Sequence, residues 1–130
     1  MISAALVFAL LSAEPHCALP VLMLRTESSP RTPAFDQAAK AFDRATKDWD
    51  AHRYFEAAAG FLVAGERFAT AGSEGNWKYA WQNAALAYEQ AGKVEEGKAA
   101  FEAAALKDSA HAEALRAAAA KLTTRSCRSP

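Results

Sequence analysis

Apolar residues recur every three or four positions from Phe35 to Leu122, a spacing that gathers them on one face of successive helices. The first stripe is Phe35, Ala38, Ala39, Phe42, Ala45 and Trp49. It opens at Thr32-Pro33, a hydroxyl able to cap the first turn and a ring that suits the first helical position. The second stripe, Tyr54, Ala57, Ala58, Phe61, Ala64 and Phe68, predicts a helix over about 50–70. "TAGSEGN" then breaks the pattern, with Gly72 suited to a left-handed stop and Ser73 to capping the next helix. A third helix is expected over about 74–91, with Trp77, Trp81, Ala84, Ala85 and Tyr88 on one face and Gly92 ending it. The fourth, over 93–107, carries Val94, Gly97, Phe101, Ala104 and Ala105. Asp108 or Ser109 would cap a fifth, striped by Ala112, Leu115, Ala119 and Leu122. No segment alternates with period two. The class is therefore all-α, and the short joints make neighbouring helices antiparallel hairpins.

Outside this body the pattern changes. Residues 1–24 hold two apolar runs, "MISAALVFALLSA" and "ALPVLML", separated by Glu14, Pro15 and His16. The first is shorter than the roughly 20 apolar residues that span a bilayer and has the length of the apolar core of an export signal. No Lys or Arg precedes it and no A-x-A cleavage site follows it. The residues before Cys17 are poor for a lipoprotein. Four readings stay open: an export signal, which would make the product periplasmic or secreted; a misassigned start codon; a helix that packs on the domain; or an uncleaved anchor, the only route by which the chain would meet a membrane. Without a signal the protein is expected to be cytoplasmic or membrane-associated. Residues 25–33, "RTESSPRTP", read as a linker. The folded domain is expected over 34–123, with a flexible tail over 124–130.

Composition narrows the chemistry. About a quarter of the 130 residues are alanine, which favours helix and close helix packing but buries little area per residue. The aromatics must supply the core volume. Fifteen basic side chains balance fifteen acidic ones, so the basic stripe that a nucleic-acid surface needs is missing. Cys17 and Cys127 lie near opposite ends, and no C-x-x-C spacing suggests zinc. His52 and Glu56 stand four apart on one helix face without a second ligand pair; they are expected to form an exposed ion pair, not a metal site. The acidic pair Glu95-Glu96 is expected to face solvent at a helix start. The titratable groups do not converge as catalysis requires, and single glycines form no phosphate loop. No enzymatic activity, metal or cofactor is expected.

One stretch carries a more specific pattern. Trp81, Ala84-Ala85, Tyr88, Gly92, Val94, Gly97, Phe101 and Ala104 follow one another at steps of 3, 4, 4, 2, 3, 4 and 3. The stretch over about 78–111 resembles a tetratricopeptide repeat, a 34-residue helix-turn-helix unit that cannot bury its apolar face alone. Its defining core positions are Trp81, Ala85, Tyr88, Gly92, Gly97, Phe101 and Ala104; Ser109 replaces the usual closing proline. A weaker copy lies upstream in Tyr54, Ala57, Phe61 and Ala64, with His52 where the turn glycine belongs. The resemblance implies a short α-solenoid of about two repeats plus a C-terminal capping helix. It implies a protein–protein interaction or scaffold role, with a peptide or partner helix held in a concave groove. Tyr79, Gln82, Asn83, Leu86, Glu89 and Gln90 would line that groove from the third helix, and Phe42 and Thr46 from the first. One subgroup of the family clamps a C-terminal carboxylate with Lys, Arg and Asn; Gln82, Phe42 and Thr46 stand where such residues are needed, so the resemblance stops short of it. Trp77 is divided between packing and binding. Because nothing precedes the first helix in the array, its outer face is expected to need a partner, a second copy of the chain in a homo-oligomer, or residues 18–24 folded back.

Overall fold

The computed structural model describes residues 32–123, and within them every regular element is an α-helix. These are α1 Pro33–Asp50, α2 Tyr54–Thr70, α3 Glu74–Ala91, α4 Val94–Lys107 and α5 Ala112–Lys121. The helices pack on their neighbours in chain order as antiparallel hairpins, the arrangement of a short helical solenoid. The expectations for the apolar runs of residues 1–24, for the linker up to residue 31, for the tail and for Cys17 and Cys127 lie outside the described residues.

The caps follow local chemistry. Thr32 Oγ1 accepts a hydrogen bond from Phe35 N at 3.1 Å, with Pro33 at the first helical position. Three joints are then closed by one device. His52, Gly72 and Gly92 have φ of 63°, 77° and 72°. The N–H of the next residue reaches back five positions in each: Arg53 to Asp48 O at 2.8 Å, Ser73 to Phe68 O and Lys93 to Tyr88 O at 2.9 Å. This is the Schellman closure, which satisfies the last carbonyls of a helix with one left-handed residue. It places the start of α2 at Tyr54, not near Asp50. Ser73 does not cap the backbone of α3; its Oγ accepts from Asn76 Nδ2 at 2.9 Å in the core.

Aromatic side chains fill the space that alanine leaves. Phe42 packs edge-on against Phe61 at 5.1 Å and Phe68 at 6.3 Å, and Phe35 against Phe68 at 5.4 Å, joining α1 to α2. Each fully buried phenylalanine is worth about 1.5–3 kcal/mol of transfer free energy. Trp81 of α3 lies over Gly65 of α2, where any Cβ would collide with the indole, and its Nε1 donates to Leu62 O at 3.3 Å. Tyr88 bridges to α4, packing on Phe101 at 6.3 Å. A Cβ on Gly97 would stand 2.8 Å from Tyr88 Cγ, so glycine makes that approach feasible. Burial raises the Tyr88 phenol above its ordinary 10.0.

The outer face of α1 is charged. Asp36, Gln37, Lys40, Asp43, Arg44, Lys47 and Asp50 lie there, all of them exposed. A charged face of this kind is compatible with water. The apolar residues of α1, including Phe42 and Ala45, turn inward. No helix of the described residues is long and apolar enough to cross a membrane.

Candidate functional site

Because α3 is packed between α2 and the α4–α5 pair, little of it reaches solvent. Ala80, Asn83, Ala84 and Ala87 are completely buried, and Asn76 lies on the same face. What remains open is the ridge Lys78, Gln82 and Leu86, at steps of four, beside the row Trp77, Trp81, Ala85 and Glu89. These face Ala114, Ala117, Ala118 and Lys121 of α5 across a trough of about 650 Å³. One wall is indole and leucine, the other alanine. The trough is apolar at its base and carries a lysine on each wall.

The residues expected to face a partner divide into groups. Gln82 is exposed in the trough and Leu86 is half-buried in it. Glu89 lines its inner end but is 6% exposed, and its Oε2 accepts from Thr123 N at 3.0 Å, so it ties down the chain after α5. Tyr79 and Gln90 are half-buried and lie outside the trough. Asn83 does not face the trough. It is 0% exposed, one position and hence about 100° round the helix from Gln82, toward the packed side. Phe42, at 3% exposure, is core, and Thr46 Oγ1 donates to Phe42 O within its own helix at 3.0 Å. Of the repeat-defining positions, Trp81, Tyr88, Gly97, Phe101 and Ala104 are buried, Gly92 forms the turn, and Ala85 is half-buried in the trough wall.

The contribution of the α5 wall departs from expectation, because its alanines read as a solvating cap. The sequence signal is present in Ala114 and Ala118, four apart, with Ala117 beside them. Also unforeseen is a cluster at the mouth of the trough. His111 Nδ1 lies 2.8 Å from Asp108 Oδ2, and Asp108 Oδ1 accepts from His111 N at 3.2 Å. Asp108 thus closes the α4–α5 joint. The imidazole stands edge-on to Trp77 at 4.9 Å and to Trp81 at 5.9 Å, while the two indoles lie 4.8 Å apart. Trp77 therefore both packs and lines the trough. Glu74 and Glu113 flank the same cluster in a neighbouring recess of about 470 Å³. Lys78 Nζ is 3.8 Å from Glu74 and 5.6 Å above the Trp77 ring.

No three His, Cys, Asp or Glu side chains among the described residues are grouped to hold a metal ion. His52 and Glu56 form no ion pair there; the His52 ring instead stacks on Tyr54 at 5.6 Å. Glu95 and Glu96 are exposed, with Glu96 3.7 Å from Lys93. Comparison with protein-family models, curated proteins and solved structures returns no match to the chain.

Proposed function

We propose that this protein is a non-catalytic interaction module built from tetratricopeptide-like repeats, and that the α3–α5 trough holds a partner helix or peptide of mixed apolar and polar character. The observation that carries the reading is the trough's composition. Trp77 and Leu86 oppose Ala114 and Ala118 across an open channel, and the small residues leave room for side chains that enter from outside. An amphipathic helix laid in such a groove buries its apolar face and keeps its polar face wet. Gln82 offers an amide at the rim. Lys121, which pairs with no carboxylate among the described residues, offers a cation to an acidic group on the partner. The repeated left-handed turns and the Tyr88–Gly97 approach support the repeat reading.

The test uses the full chain carrying a photocrosslinker at Gln82, with partners identified after capture. Leu86→Glu and Ala118→Glu each put a charge into the apolar channel from partly exposed sites. Both variants should keep their helical content and lose the crosslinked partner. If every captured partner survives both substitutions, the trough is not the docking site.

A further inference from the structure

The groove between α1 and α2 and an exposed stripe of α4 are opposite in charge. Lys40 and Arg44 of α1 and Arg67 of α2 surround the groove, of about 410 Å³, floored by Ala41, Ala59 and Gly60, with Val63 at its lip. None of these three cations forms an ion pair among the described residues. The carboxylate in the groove, Asp48, is already held by Arg53 at 2.8 Å. Helix α4 presents Glu95, Ala99, Glu102 and Leu106 at steps of 4, 3 and 4, a single stripe on the helix surface. Glu95 and Glu102 pair with nothing among the described residues, and Leu106 is 82% exposed, the most exposed large apolar side chain there. From Glu95 to Leu106 the stripe runs about 16 Å at 1.5 Å per residue, as does the groove from Gln37 to Asp48.

We propose that these faces dock on each other between copies of the chain, the α4 stripe of one copy lying in the α1–α2 groove of the next. Glu95 and Glu102 then meet Lys40, Arg44 and Arg67, and Leu106 is covered by the small residues of the groove. Charge decides the symmetry. Pairing the groove with its own copy would bring Lys40, Arg44 and Arg67 together, and pairing the α4 stripe with its own copy would bring Glu95 and Glu102 together, which opposes association. A contact between different faces is heterologous and does not stop at two subunits unless its rotation closes a ring. This goes beyond the α3–α5 trough, whose lining shares no residue with either face.

Sedimentation of the full chain, from micromolar to millimolar protein, tests the idea. At about 0.1 M salt the mean mass should rise past the dimer with concentration. It should fall back at about 1 M, where the screening length shrinks from about 10 Å to about 3 Å. Arg44→Glu with Arg67→Glu should return the chain to monomer mass, and so should Glu95→Lys with Glu102→Lys. An equimolar mixture of the two double variants should assemble again, because each reversed face then meets its reversed partner. The substituted residues lie at the surface, and circular dichroism checks each fold. Leu106→Ala, which changes no charge, should weaken assembly and guards against a charge reversal that unfolds the chain. A wild-type chain that stays monomeric, one that stops at a closed dimer, assembly that survives both reversals, or a mixture of folded variants that stays monomeric overturns the proposal.

Discussion

His52 is the described residue other than glycine with a positive φ, and it makes the same closure that Gly72 and Gly92 make. A side chain in that region costs roughly 1 kcal/mol or more. Stacking of the imidazole on Tyr54 offsets part of it. His52→Gly should therefore stabilise the protein by about 0.5–1 kcal/mol, read as a shift in the urea midpoint with an unchanged slope. The opposite case is Gly65, whose missing side chain is the space that Trp81 occupies. Gly65→Ala should destabilise by about 1–3 kcal/mol through overpacking and shift the tryptophan emission. At Glu66, burial raises the carboxyl above its ordinary 4.5, and Asp108 adds to the rise while Lys107 and Arg67 oppose it. A raised folded-state value favours the neutral acid, so the contribution is fully present below about 4.5 and is lost as pH rises through the shifted value. Glu66→Gln should accordingly be more stable than wild type at neutral pH, with the difference closing toward pH 4. Equal differences at both pH values in paired denaturation curves would count against the burial explanation.

Among the elements, α1 to α3 form the closest-packed part, since facing alanines and Gly60 and Gly65 let their backbones approach. The α3–α4 joint depends on fewer and larger contacts, chiefly Tyr88 with Gly97 and Phe101. In a linear array each unit is held by its neighbours alone, so units with weaker interfaces open first. Amide hydrogen exchange should therefore show α4 and α5 opening before α2 and the middle of α3. The Glu89–Thr123 hydrogen bond fastens the end of α5 to α3. Glu89→Ala should speed exchange in α5 without changing that of α2. Helix positions are legible in the sequence because stripe, cap and turn glycine are local. The start of α2 is less legible, because a histidine stands where a turn glycine would mark the stop, although the repeat register points to position 52.

For the molecule as a whole, zero net charge conceals a division. Both signs of charge cover the outer face of α1, three cations line the α1–α2 groove, and Glu95 and Glu102 share an exposed stripe of α4 with Leu106. Binding in the α3–α5 trough and stacking of copies use separate surfaces, so Leu86→Glu should abolish the first and leave the second intact. Comparing partner capture with sedimentation of that one variant checks their independence.

The all-α class, the five described helices and the glycine turn at Gly92 are written in the local sequence. Each comes from periods and caps that act within a few residues. Which side of α3 stays open is instead a property of packing. A template register put Asn83 beside Gln82 and Leu86 in the groove, but a helix enclosed on two sides keeps one narrow ridge in solvent, and Asn83 falls about a quarter of a turn from it. The second wall of the trough, the meeting of His111 with two indoles and the cations gathered at the α1–α2 groove join residues far apart in the chain, and no local rule could have brought them together.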